Sequence, residues 1–291
     1  MFKQLSHWLW RSKPRWLYGV LTLVTAFSLW VITPQAVQAR SWLELLIRGA
    51  QVLQLSNISD RQEVAIGQQI NEQLGVQLRR RGTPLIANNR MLNAYVNELG
   101  NTLVQGSERP NIPYTFQVVA DRDVNAFATM GGFVYLNAGL LLLADNEAEL
   151  ASVVAHEIGH ITARHAIRQM RSQAITQGLL SAAGLQQDQA VQIGVELALN
   201  RPNSREDELE ADRLGLAMLR RANYEPTAMI SFMQKLQRQG GQIPTFLSTH
   251  PATGDRIRLL QEMLRQNPPT ETEVRGVATE PYQATIRQLL R

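Results

Sequence analysis

Asn146-Glu147-Ala148-Glu149-Leu150-Ala151-Ser152-Val153-Val154-Ala155-His156-Glu157-Ile158-Gly159-His160-Ile161 is the stretch on which the reading of this chain turns. Asn146 can cap a helix and Glu149 stands where a capping-box partner belongs. Leu150, Val153, Val154 and Ile161 then fall on one apolar face at helical spacing. Residues four apart on a helix stand over one another, with Cβ atoms about 5–6 Å apart. The imidazoles of His156 and His160 can therefore converge on one ion at Zn–N distances of about 2.0–2.1 Å. Glu157 projects roughly a quarter-turn away, where its carboxylate can reach an attacking water without binding the metal. The competing reading is a pair of helix histidines with no metal.

A zinc hydrolase site of this type needs a third protein ligand and one open position. No histidine lies between His165 and His250, so a carboxylate is the better candidate. Ser204-Arg205-Glu206-Asp207-Glu208-Leu209-Glu210-Ala211-Asp212-Arg213-Leu214-Gly215 reads as a second helix, capped by Ser204. Glu208, Asp212 and Gly215 share a face with the small Ala211, which lets this helix approach the first one closely at Gly159. Glu208 would bind the metal, and Asp212 one turn later would orient a ligand histidine through its free N–H. Spacing alone leaves this level with a solvated acidic face paired to Arg205 and Arg213.

Outward from these helices the pattern is α+β and mainly helical, with the H-E-x-x-H on a central helix and a small sheet. Ser59 and Gln62 form a capping-box pattern that opens a helix through about Leu78. A second helix is expected from Asn89 to Val104, with Leu92, Tyr95, Leu99 and Leu103 in register. Strand signals are confined to Tyr114–Ala120 and to Phe133–Leu136 after Gly131-Gly132. Residues 40–56 read as an amphipathic helix, and 166–200 as a helical excursion between the two site-bearing helices. Gly240 to Pro244 reads as a loop. The domain is expected to span 40–267, followed by a loosely attached tail at 268–291.

Residues 1–39 carry Lys3, Arg11, Lys13 and Arg15 and no acid, then an uncharged run from Trp16 to Ile32. Val37 and Ala39 stand at −3 and −1 of a cut before Arg40, the pattern of a secretory signal peptide. The alternative is an uncleaved anchor, since the run falls just short of the ~20 residues a spanning helix needs. The chain has 29 basic and 25 acidic residues. All four surplus positive charges lie in that leader, so the remainder is balanced and carries no basic stripe for nucleic acid. With no cysteine, disulfides, thiolate metal sites and lipidation at an N-terminal cysteine are excluded.

H-E-x-x-H, then E-x-x-x-D within E-x-E-A-D-R-x-G, then Thr249-His250-Pro251 with Asp255-Arg256, resembles the zinc metallopeptidase family of the type I CAAX prenyl protease, HtpX and the mitochondrial Oma peptidase. The soluble bacterial periplasmic branch, with BepA and LoiP, is the nearest type. The resemblance covers roughly residues 60–265 and implies a zincin-like domain with one Zn2+ per chain, held by His156, His160 and Glu208. It also implies a substrate-pairing edge strand ahead of the zinc helix, matching Gly132, Phe133, Val134, Tyr135, Leu136 and Asn137. The chain departs from the multi-spanning members in lacking further hydrophobic segments, and from the BepA-like proteins in lacking tetratricopeptide repeats.

On the family pattern His250 approaches the zinc, either gating its open position or stabilising an oxyanion. Beside Pro251 it is otherwise an ordinary loop residue. Arg256 faces the site or forms a salt bridge at the next helix. His165 lies about 140° round from His160 on a continuous helix and reads as structural. Asn125-Ala126-Phe127 either lines the cleft or is a turn. The expected function is extracytoplasmic endopeptidase action on unfolded or misassembled envelope proteins, with Glu157 as general base and peripheral membrane association possible. The competing function is a chaperone-like binding protein whose zinc site stays closed.

Overall fold

Residues 52–53, 55, 57–179, 184–200, 202–238, 244–251 and 254–290 are described in a computed structural model. The leader at 1–39 and nearly all of the 40–56 stretch lie outside the described residues. At Val52–Leu53 the chain is a short strand, β1, and not helix; it pairs antiparallel with β5 (Leu185–Gln186).

Helix α1 (Asp60–Arg80) begins as its capping box requires, with Ser59 and Gln62 each accepting from the other's backbone N–H. Helix α2 (Arg90–Val104) is capped by Asn89 and buries Leu92, Val96, Leu99 and Leu103. Strands β2 (Thr115–Val119), β3 (Ala126–Thr129) and β4 (Phe133–Asn137) then form a sheet in the order β2-β4-β3. β2 runs parallel to β4, with Val118 opposite Leu136. β3 runs antiparallel to it, with Phe127 opposite Tyr135.

This order corrects the edge-strand expectation for Gly132–Asn137. β4 is the middle strand and all five of its residues are buried. The physical reason is the turn at Met130-Gly131-Gly132. Gly131 and Gly132 sit at φ +80° and +98°, a region that favours glycine. The chain thereby reverses and lays Ala126–Thr129, whose first two residues read from sequence as lining the cleft or as a turn, along one side of β4. A strand enclosed on both sides and both faces is continuously apolar, which is why it stood out. The outer edge beside the site is β3.

The remaining helices among the described residues are α3 (Ala138–Leu143), α4 (Glu147–Thr162), α5 (His165–Thr176), α6 (Gln187–Asn200), α7 (Arg205–Arg221), α8 (Ala228–Arg238), α9 (Thr245–Thr249), α10 (Gly254–Gln266) and α11 (Thr279–Leu289). α4 is the central one, and every residue from Ala148 to Thr162 is buried. Asn146 Oδ1 accepts from the Glu149 N–H at 3.0 Å. The reciprocal half of the box is replaced, because Glu149 accepts from the Asp145 N–H at 2.8 Å.

Two apolar clusters flank the site. One joins α2, α4, α7, α8 and α10 through Leu92, Val154, Ile158, Leu219, Phe232 and Leu260. The other joins α1, α5 and α6 through Ile66, Ile70, Met170 and Ile193. Full burial of such side chains contributes roughly 1.5–3 kcal/mol each. The C-terminal segment is not loosely attached: Ile286 and Leu289 are buried in the first cluster, and Tyr282 donates from its hydroxyl to the Leu141 carbonyl at 2.8 Å. Among the described residues, no helix is long and apolar enough to cross a membrane.

Candidate metal centre and catalytic site

Two helices meet here at backbone contact. A Cβ on Gly159 of α4 would lie 2.7 Å from the Ala211 carbonyl oxygen of α7, and one on Gly215 would lie 3.1 Å from the His156 nitrogen. The small-residue stripe therefore does what its spacing suggested. Ser204 caps α7 by accepting from the Asp207 N–H at 3.1 Å, which aims Glu208 and Asp212 at α4.

His156, His160, Glu208 and His250 converge there, each offering one ligand atom. His156 Nε2 and His160 Nε2 lie 3.0 Å apart, and each is 3.3 Å from a Glu208 oxygen. His250 Nδ1 stands 3.2 Å from His156 Nε2 and 3.1 Å from Glu208 Oε1. Ligands around a tetrahedral zinc, at about 2.0–2.1 Å from the ion, are spaced about 3.3–3.4 Å from one another. The cluster, with spacings of 3.0–3.3 Å, is slightly tighter than this and close to these dimensions. The outward nitrogens are already engaged, since His156 Nδ1 meets Asp212 Oδ1 at 2.9 Å and His160 Nδ1 meets His165 Nδ1 at 2.6 Å. With protons on those outward atoms, the inward nitrogens face one another and a carboxylate as lone pairs. That arrangement is relieved by a proton on His156 or by a metal cation among the four groups, and the donor set of imidazole nitrogens and one carboxylate fits a divalent metal.

Glu157 stands beside the cluster with His250 Nε2 at 3.4 Å from its Oε1. Its side chain is fully buried and neither oxygen has a hydrogen-bond partner. Burial pushes its pKa up, against the pull of the His250 and His156 charges. Buried polar atoms are nearly always hydrogen-bonded, so a carboxylate kept in this state is poised to take a proton.

Arg256 reaches the site from α10. Its Nε donates to Asp212 Oδ2 at 2.7 Å, and its Nη1 lies 2.6 Å from Glu208 Oε2. Burial opposes ionisation of Asp212 and Glu208. Arg256 and His156 hold Asp212 below the ordinary range, and the His250 and His156 charges hold Glu208 well below it. Arg256 thus lies behind the ligands, braced against their carboxylates.

The cavity in front is lined by Phe127, Ala128 and Thr129 of β3, by Glu157 and His160, and by Leu197 and Ala198 of α6 across from them. Helices α5 and α6 of the 166–200 excursion therefore contribute to the wall of the cleft. Gly132–Asn137, the expected substrate strand, does not line it; Phe127, from the stretch read as cleft or turn, does.

Two residues near the ligands escaped sequence reasoning. Asn203 directs its amide at His250 Nδ1 from 3.1 Å, with only the adjacent helix start to signal it. His165 was set aside on the assumption that one helix ran past His160. Arg164 takes a left-handed conformation, φ 56° and ψ 36°, and α5 starts afresh at His165. That break returns His165 to the ligand.

Comparison with known proteins agrees with the geometry. A model of peptidase family M48 matches residues 90–264. The chain is 39% identical over 208 residues to the putative beta-barrel assembly-enhancing protease of Vibrio cholerae, covering 65% of this chain and 42% of that protein. Identity to the beta-barrel assembly-enhancing protease of Escherichia coli is 33% over 255 residues, covering 82% and 50%. Metalloprotease LoiP of Escherichia coli is 28% identical over 233 residues, covering 76% and 87%. The chain spans about half the length of the first two relatives. Because the matched segment spans more than half of the chain and takes in every residue of the converging cluster, the chain belongs to peptidase family M48.

Proposed function

We propose that this chain is an exported zinc endopeptidase acting on extended segments of unfolded or misassembled envelope proteins, with one zinc per chain held by His156, His160 and Glu208. The observation that carries the reading is the convergence of three ligand atoms at 3.0–3.3 Å on a two-helix frame. When bound, zinc supplies Lewis acidity and lowers the pKa of a water to about 7. Glu157 takes the proton of the attacking water and delivers it to the leaving amine. Asp212 holds His156 in the tautomer that presents Nε2 inward, and Arg256 keeps Asp212 ionised while pairing with Glu208.

β3 replaces β4 as the strand that pairs with substrate. An extended peptide adding to an edge is held through main-chain hydrogen bonds, so unfolded segments suit it better than a particular sequence. His250 is read as a gate, because its Nδ1 fills the fourth corner of the cluster. Its removal should raise casein cleavage at matched zinc content; a large loss would favour the oxyanion role. The leader at 1–39 supports export, and intact mass of protein recovered from the envelope decides between a chain starting at Arg40 and a retained anchor.

Burial of the whole cluster, with His160 the most exposed member at 7%, favours a second reading: a chaperone-like protein whose site stays closed. Incubating the full chain with casein separates the two. The endopeptidase reading expects cleavage by wild type, and a loss of about 10²–10⁴-fold in Glu157→Gln with zinc retained. Casein that is bound but never cut would establish the second reading instead.

A further inference from the structure

The two inward-facing histidines are anchored differently. His156 gives its outward nitrogen to the Asp212 carboxylate directly. His160 instead meets a third imidazole, with Nδ1 of His160 and Nδ1 of His165 at 2.6 Å. Two ring nitrogens attract at that distance only when one of them carries the proton. If His160 Nε2 offers its lone pair to the cluster, the ring's one proton sits on Nδ1. His165 Nδ1 is then the acceptor, and the proton of His165 sits on Nε2. That atom faces Glu210 Oε2 at 3.1 Å and Asp207 Oδ1 at 3.5 Å. Arg168 fixes the far end, with Nη2 donating at 2.8 Å to both Glu210 and Asp207.

We infer that His165 is a positioning residue for the metal site, fixing the tautomer and ring orientation of His160 as the middle member of a His160–His165–Glu210 chain. Three acids of one helix then serve the two histidines: Glu208 beside them, Asp212 behind His156, and Glu210 behind His160 through His165. Because His165 is also the first residue of α5, that wall of the cleft is tied to a ligand at its root. The inference rests on the metal reading above.

Outer-shell partners of ligand histidines typically matter by 10–100-fold in metal affinity. His165→Leu, which has no acceptor, should weaken zinc binding by about that factor in competition with a chelator. His165→Asn, which places an amide oxygen near the Nδ1 position, should recover most of it. Wild type that binds no zinc would defeat the metal reading itself. Wild type that binds tightly, with His165→Leu binding equally well, would defeat the positioning role alone. Should His165→Leu fail to fold, the zinc-loaded wild type still decides, because ¹⁵N-histidine NMR reports each ring's tautomer. His165 protonated on Nε2 supports the chain, and His165 protonated on Nδ1 overturns it.

Discussion

The site lies between two halves built by different means. On one side α4, α7 and α10 meet through backbone contact at Gly159 and Gly215 and through the buried ions Glu208, Asp212 and Arg256. On the other side α1, α5 and α6 meet through aliphatic side chains, with Ile70 and Met170 set against Gly194. Interlocked backbones and paired buried charges have one low-energy arrangement, whereas aliphatic ends can shift between rotamers. The converging side chains therefore stand on the half with fewer alternative packings, and the aliphatic half that lines the cleft is expected to accommodate a change more readily.

Arg256→Met should break the first half most severely. Removing one partner leaves the buried Glu208 and Asp212 uncompensated, a loss of about 3–5 kcal/mol measurable by denaturant unfolding. An unchanged midpoint would mean that the ion cluster braces nothing. Next comes Gly159→Ala, whose new methyl group meets the backbone oxygen of Ala211 at 2.7 Å. Overpacking of this kind costs about 1–3 kcal/mol and should spread the ligand pair, so zinc affinity ought to fall with stability.

The third effect is on pH. Burial works against a charged His156, but Glu208 and Asp212 outweigh it and raise its pKa to about 9. The metal-free protein thus holds a proton there below pH 9, and its ion pair stabilises the fold until pH rises through that value. Zinc must displace this proton, so its apparent affinity should weaken about tenfold for each pH unit below about 9. An affinity that is flat from pH 9 to 7 would contradict it. Gly194→Ala should give the smallest response. It is the same substitution as at Gly159, but the methyl group meets the movable end of Ile70, and the gain in helix propensity of about 1 kcal/mol offsets the crowding. Its unfolding free energy should stay within about 1 kcal/mol of wild type. A loss matching that of Gly159→Ala would erase the contrast between the halves.

The same contrast explains what the sequence disclosed. The rigid half is made of local signals: the Asn146 and Ser204 caps, the four-residue spacing of His156 and His160, and the small stripe of Gly159, Ala211 and Gly215. Each is readable within a few turns of α4 or of α7 taken separately. What stayed hidden depends on distant partners. Phe133–Asn137 signalled a strand, but only β2 and β3 decide that it is central. Val52–Leu53 becomes strand because Leu185–Gln186 lies opposite. His165 could not be placed while Arg164 was assumed helical, since a left-handed bulky residue is stabilised by context; here its guanidinium reaches Asp60 and the Ile58 carbonyl.

The central claim is that His156, His160 and Glu208 together hold one zinc ion. Elemental analysis of the full chain and of Glu208→Ala, after identical dialysis against a weak chelator, tests it most directly. The account predicts close to one zinc per wild-type chain, with most of it lost from Glu208→Ala. A full equivalent of zinc and undiminished casein cleavage in Glu208→Ala would show that another carboxylate is the ligand.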